Sequence, residues 1–365
     1  MDTKHLVAIV DTNSRHRDMV AEALLSFYTV HAYANPANAM SGMLLSPPKL
    51  ILVGQRVGAG NGAHFIRELR REKFLSTAPV IFIIDNEDFR TLDTIRDLGI
   101  KDYLVKPYHR SALINAISKQ LNGRVEHSWQ DLPPTQRKAL QGTLSAFNGI
   151  ADDIANGNPL PYGTVSDSCD AIVEAVNNDE LGSLLHQIKD HDNFTYVHSL
   201  RFSAFMSLFG KAIGLPKEQQ VVIASGGMLH DIGKMTIPRA LLNKEGALSP
   251  GETKVMRNHV TTSQKLLAAS TPIPKGVSTI VGAHHERLDG SGYPCGLAAP
   301  ALNQLARMAA IIDVFCALTD RRPYKRTAAA HVALETMATE MQHRLDQELL
   351  VRFKEILLDS AEIAA

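Results

Sequence analysis

Over the first third of the chain, short runs of β-branched and aliphatic residues alternate with amphipathic stretches. Leu6–Val10, 50–53, Val80–Ile84 and 103–105 are apolar almost without interruption, the pattern of strands covered on both faces. Such strands separated by helical stretches predict a parallel sheet with helices on either side. From Asp131 onward the strand signal fades and apolar residues recur at three-and-four spacing. That period predicts helices over 135–156, 165–177, 194–213, 217–231, 250–269, 275–284, 302–318 and 328–358. Pro133-Pro134 marks a helix entry, since proline suits the first turn. The stretch from Gly157 to Gly163, with two prolines and two glycines, reads as a loop. The expected organisation is an α/β unit over 1–123, a linker over 124–134 and an all-α helical bundle over 135–365.

Composition sharpens this picture mainly by exclusion. A chain of 365 residues exceeds what one core usually organises, so two domains are the natural expectation. Thirty-eight basic residues balance thirty-eight acidic ones. The chain as a whole therefore offers no attraction for a nucleic-acid polymer or an anionic membrane, and an anionic ligand must be held by a local cluster. Cys169, Cys295 and Cys316 are widely spaced and form no CxxC pair. Neither a disulfide framework nor a zinc knuckle follows, and a reducing cytoplasm is the expected location. No apolar run approaches the length of a membrane span.

The chemistry concentrates in the second half. His284-His285-Glu286-Arg287-Leu288-Asp289-Gly290-Ser291-Gly292-Tyr293-Pro294 joins two imidazoles, a carboxylate and a glycine-bracketed turn, and His230-Asp231-Ile232-Gly233-Lys234 lies upstream. Imidazole nitrogens and carboxylate oxygens suit borderline divalent metals, and helical bundles project such side chains inward from facing helices. His230 and Asp231 follow an apolar helix. Adjacent helical residues diverge by about 100°, so the pair needs a helix end to converge, and Gly233 is expected to supply it. Asp313, inside Ala309-Ala310-Ile311-Ile312-Asp313-Val314-Phe315, would be costly to bury without a metal or cationic partner.

These two motifs, HDxGK and HHExxDGxGYP, resemble the signatures of the HD-GYP family of HD-superfamily phosphodiesterases, which open cyclic di-GMP. The resemblance implies metal ligands at His198, His230, Asp231, His259, His284, His285 and Asp313, with Asp231 bridging two ions. One ion would take His198, His230, Asp231 and Asp313, and the other Asp231, His259, His284 and His285. Family likeness favours iron, and manganese, zinc or nickel suit the same donors. Some family members add a third ion through a glutamate where this chain has Phe194, so two ions are expected here. The resemblance further gives Lys234 a catalytic role beside Asp231, on the phosphate charge or the leaving oxygen. Tyr293 is expected to reach the bound ligand, and Arg322 and Lys325 to hold its phosphates. Glu286 and Asp289 are expected to orient imidazoles. Cys316 stands where the family often has an aspartate in the position that would touch a guanine.

Across 1–123, Pro48-Lys49-Leu50-Ile51-Leu52-Val53, Pro79-Val80-Ile81-Phe82 and Asp102-Tyr103-Leu104-Val105-Lys106-Pro107 resemble a response-regulator receiver domain, which implies a flavodoxin-like, doubly wound parallel sheet. The residue corresponding to the receiver's phosphorylated aspartate is Gly54. The usual acidic pair is Asp11-Thr12, and the expected hydroxyl residue is Ile84. Lys106 is retained. A pseudo-receiver that mediates dimerisation or partner binding follows. The leading expectation for the whole chain is metal-dependent hydrolysis of cyclic di-GMP to pGpG and onward to GMP. The alternatives are a phosphohydrolase of pGpG or a cyclic GMP-AMP dinucleotide, and a signalling adaptor; the family contacts GGDEF-domain proteins, and a homodimer is compatible with the sequence.

Overall fold

The computed structural model describes residues 5–24, 28–242, 244, 246–270, 272–320 and 327–359. The chain divides into two compact units, Met1–Glu126 and His127–Ala365.

The first unit is built on strands β1 (Leu6–Val10), β2 (Thr29–Tyr33) and β3 (Leu50–Gly54). A two-residue hairpin, β4 (Arg56–Val57) and β5 (Gly60–Asn61), precedes β6 (Val80–Ile84) and β7 (Asp102–Val105). Five of these pair in parallel in the order β2-β1-β3-β6-β7. Alternate residues feed two cores: Val10, Ile51, Val53 and Phe82 on one face, and Val7, Ile9, Leu50 and Leu52 on the other. This doubly wound sheet is the expected α/β architecture. β3 and β6 are buried along their whole length, which is why they are visible as apolar runs. β2 is absent from the sequence reading. It lies on the sheet edge, with Thr29 and Ala32 exposed and His31 half-buried, so no apolar run announces it.

The second unit is helical among the described residues, as the three-and-four spacing predicts. Its long central helix Phe194–Ala212 packs on Lys217–Leu229 and on Gln304–Thr319, and Lys217–Leu229 also packs on Lys275–Ala283. The helix Gly123–Ser128 and the 3-10 turn Trp129–Asp131 occupy most of the stretch expected as a linker. Trp129 is fully buried, stacks on His191 at 5.7 Å and donates to the Gln187 carbonyl.

The helical pattern departs from expectation at several places, and the stretch expected as one helix over 250–269 is two, Pro250–Arg257 and His259–Ala268. Leu181–Gln187 has seven residues, too short for periodicity to reveal. The expected helix over 328–358 is two helices, Ala330–Thr339 and Gln347–Asp359. Asp346 explains the break, because its Oδ1 accepts from the Leu349 N–H and starts the second helix while Oδ2 pairs with Arg307 at 2.9 Å. No helix among the described residues is long and apolar enough to cross a membrane.

Candidate metal centre

Every side chain of the centre comes from a helix end or an inward helix face. Lys217–Leu229 stops at Leu229. His230 still has helical backbone, whereas Asp231 has φ −106° and ψ 9°. That one-residue turn lets both side chains point to a common centre. Gly233 does not terminate the helix, as expected from sequence; it lies in the 3-10 turn Ile232–Thr236. Its glycine is required by space instead. A Cβ there would sit 2.1 Å from the His259 carbonyl oxygen, so only glycine lets the HD turn close against the helix His259–Ala268. The Gly233 N–H donates to Ser263 Oγ at 2.8 Å across the same contact.

Asp231 is the centre of the arrangement. Its Oδ2 lies 3.3 Å from His230 Nε2 and 3.6 Å from His198 Nε2. Its Oδ1 lies 3.2 Å from His259 Nε2 and 3.8 Å from His284 Nε2. Asp313 has Oδ1 3.9 Å from His198 Nε2, and Oδ2 3.1 Å from His285 Nδ1 and 3.9 Å from Arg287. Two groups form, Asp231 with His259, His284 and His285, and His198 with His230 and Asp313, each with its donor atoms within 4.8 Å of one another. All seven side chains singled out from the sequence meet here.

Hydrogen bonding at the far side of each ring decides what faces inward. His230, His259 and His284 donate through Nδ1 to the carbonyls of Gly227, Met256 and Val281, at 2.7, 2.8 and 3.0 Å. A carbonyl only accepts, so Nδ1 carries the proton and the Nε2 of the neutral ring presents a lone pair. Asp231 Oδ1 is accordingly buried without a hydrogen-bond partner although His259 Nε2 is near it, because lone pair faces lone pair. Inward imidazole lone pairs, two buried carboxylates and an orphaned oxygen are costly as they stand. They fit a divalent cation with N/O preference.

Charge agrees with that fit. Burial opposes ionisation of Asp231, but the Lys234 ammonium leads the effects that outweigh it and hold the carboxyl well below its ordinary range. For Asp313 burial is likewise outweighed, by His285. Burial, followed by the neighbouring His285 and His230, pushes His284 well below its ordinary value and keeps it neutral.

Lys234 Nζ lies 2.5 Å from Asp231 Oδ2 and is one-quarter exposed. Tyr293 covers His285 with ring centroids 4.6 Å apart, and the Arg257 guanidinium carbon lies over the Tyr293 ring, 4.9 Å from its centroid. Burial raises the Tyr293 hydroxyl above its ordinary value, so it stays a donor. Arg322 and Lys325 lie outside the described residues. Cys316 is fully buried in its helix.

The two acidic residues of the loop do different work from that expected. Glu286 accepts from the N–H groups of Cys295 and Leu297 at 2.8 and 2.9 Å, and Asp289 accepts from Ser291 N–H and Oγ. Both fold the loop rather than orient imidazoles; the backbone carbonyls do that. Gly290 has φ 76°, where glycine is favoured. Gly292 has no such backbone and instead leaves room, since a Cβ would lie 2.4 Å from Glu286 Cα. Sequence reading missed Asp320, whose Oδ2 lies 2.5 Å from His198 Nδ1. The cations that follow it in the chain directed the sequence reading to phosphate binding instead.

At the carboxyl edge of the receiver-like sheet, where open α/β sheets bind ligands, Asp11 Oδ2 is 2.7 Å from His16 Nδ1 and 3.4 Å from Lys106. His16 Nε2 is 2.6 Å from the Tyr108 hydroxyl. Burial opposes ionisation of Asp11, and the His16 hydrogen bond leads the effects that lower it. Gly54 lies against this carboxylate: a Cβ there would be 2.5 Å from Asp11 Oδ2.

Fold and site together define an HD-type helical domain preceded by a receiver domain. The response regulator receiver domain family matches residues 7–118, and the HD domain family matches residues 183–349. The cyclic di-GMP phosphodiesterase response regulator RpfG of Xanthomonas campestris pv. campestris (strain 8004) is 30% identical over 335 residues, which are 90% of this chain and 81% of that protein. The 3′3′-cGAMP-specific phosphodiesterase 1 of Vibrio cholerae serotype O1 is 31% identical over 262 residues, 68% of this chain and 59% of that protein. Among solved structures, the HDG"Y"P protein Bd1817 of Bdellovibrio bacteriovorus shares the fold with a TM-score of 0.50 at 18% identity, covering 67% of this chain and 80% of that one. The chain belongs to the HD-GYP-type cyclic di-GMP phosphodiesterase family with an N-terminal receiver domain.

Proposed function

We propose that the chain is a divalent-metal-dependent phosphodiesterase that opens cyclic di-GMP to pGpG, with GMP as a further product. The observation that carries this reading is Asp231, whose two carboxylate oxygens each face a different histidine group. His198, His230, Asp231 and Asp313 would hold one ion, and Asp231, His259, His284 and His285 a second. Iron is the preferred metal, and the same donors suit manganese, zinc and nickel. Divalent ions bound there supply a lowered water pKa and neutralise phosphate charge. Lys234 is the chain's own acid. Its ammonium, already beside Asp231, delivers a proton to the leaving ribose oxygen. Tyr293 offers a hydroxyl to a phosphate and a ring to a base, and Arg322 and Lys325 pair with the phosphates.

A second reading on the same site is hydrolysis of another dinucleotide. Cys316, fully buried and standing where the family often has an aspartate that would touch a guanine, offers no carboxylate there, which favours considering cyclic GMP-AMP; pGpG keeps both guanines and would rest on the same metal donors. A third reading makes the chain an adaptor for GGDEF-domain proteins, as a homodimer or a monomer, with catalysis secondary. The receiver unit, 1–123, is joined through 124–134 to the phosphohydrolase domain, 135–365. We take it to act without phosphorylation, in a cytoplasmic protein. The test combines metal quantitation on protein purified without oxygen with chromatography of products from a dinucleotide panel. Two metal equivalents and pGpG as first product are expected. Intact cyclic di-GMP beside cleaved cyclic GMP-AMP would reassign the substrate, and three equivalents would overturn the two-ion reading.

A further inference from the structure

The inward nitrogens of the centre are not all fixed in the same way. His230, His259 and His284 each use the carbonyl three residues earlier in their own segment. His198 instead directs Nδ1 at the Asp320 carboxylate, 2.5 Å away and 122 residues on. Asp320 is 7% exposed and closes the helix Gln304–Thr319, where its N–H bonds to the Cys316 carbonyl at 2.7 Å. Its other oxygen accepts from Arg201, which also reaches Thr319 Oγ1 at 3.0 Å.

We infer that Asp320 is a positioning residue of the metal centre: it fixes the orientation and tautomer of His198 and thereby sets the cation affinity of the group formed with His230 and Asp313. An ionised carboxylate at Nδ1 accepts the ring proton, keeps the Nε2 lone pair inward and makes that nitrogen more basic than a backbone carbonyl does. The tie to Arg201 is a separable matter. It joins the helices Phe194–Ala212 and Gln304–Thr319 and needs only one carboxylate oxygen. The inference rests on the metal-dependent reading above and assigns a role within it to a residue outside the seven donors.

The experiment uses full-length protein stripped of metal and titrated calorimetrically with Mn2+. Wild type is expected to bind in two steps, and Asp320→Asn to weaken one of them on the order of tenfold or more while leaving the other in place. Arg201→Gln, which breaks the helix tie but leaves the carboxylate on His198, is expected to lower thermal stability without weakening either step. Equal binding by wild type and Asp320→Asn overturns the inference, as does equal weakening by the two variants, which would make the contact purely structural. Nitrogen-15 spectra of the histidine rings in the metal-free wild type read the tautomer independently. A proton on His198 Nδ1 is expected; one on Nε2 overturns the inference whatever the titration gives. Absence of Mn2+ uptake by wild type, with the tautomer as expected, overturns the metal reading and leaves the Asp320 contact as the cause of the tautomer.

Discussion

Asp231 and Lys234 are one turn apart, and the ammonium lies within hydrogen-bond distance of the carboxylate that both histidine groups share. Removing the cation leaves the donor atoms intact, so Lys234→Ala should retain its metal and lose about 10²–10⁴-fold in turnover, the usual contribution of a positioned acid. Unchanged turnover would remove Lys234 from the chemistry. The histidines carry a second expectation, for metal-free protein. His284 and His285 both titrate below the ordinary 6.5 when folded, burial being the leading cause. As pH falls through that value the unfolded chain takes up protons that the folded chain refuses, so stability falls with pH. The denaturant midpoint of metal-free protein should therefore drop between about pH 7.5 and about pH 5.5, and metal, which holds the same histidines unprotonated, should raise the midpoint while keeping or steepening the drop. At this scale the sequence pointed to the candidate donors through two short motifs and the family resemblance they carry, since a histidine taken singly is more often an ordinary polar residue. It was silent about what holds them. Three Nδ1 partners are backbone carbonyls, which no residue type signals, and the fourth, Asp320, is distant in the chain.

At the scale of elements, the site depends on how closely a turn, a loop and two helices approach one another. Gly233→Ala places a methyl group against the His259 carbonyl and must push the HD turn from the helix carrying His259. A loss of about 1–3 kcal/mol in unfolding free energy is expected, with weaker metal retention on dialysis against a chelator. A substitution that costs nothing would show that the turn can relax. Asp346→Ala removes both the start of Gln347–Asp359 and the partner of Arg307, and should cost about 1–2 kcal/mol. The break it creates has a function in the fold: the Arg344 carbonyl in that turn accepts the Leu288 N–H at 3.0 Å and so supports the loop that ends in Tyr293 and Pro294. Apolar period alone runs through this break, because the residues on either side keep a helical spacing, and only the competing capping bond of Asp346 decides against continuity. The edge strand Thr29–Tyr33 was illegible for the opposite reason, since its half-exposed face leaves no apolar run to read.

For the whole molecule, two units with different hydrophobic periods carry different chemistry. In the receiver-like unit, Gly54 provides no acceptor oxygen, and Asp11, the neighbouring carboxylate, is held by His16 and Lys106. Incubation with labelled acetyl phosphate should leave the first unit without label at aspartate, and a hydroxylamine-sensitive, alkali-labile label there would overturn the phosphorylation-independent reading. The amino-acid pattern indicated the sheet's central strands, most of the bundle's helices and, through the family motifs, the seven candidate donors. Each of these is written in local periods of two or 3.6 residues or in motifs of a few residues, which short-range sterics and burial make legible. Only the tertiary structure decided that one aspartate faces both histidine groups, that Gly233 and Gly292 are required for space, and that a carboxylate 122 residues away holds His198. Those are contacts between segments brought together by packing, and their free energy depends on distances that no local pattern encodes.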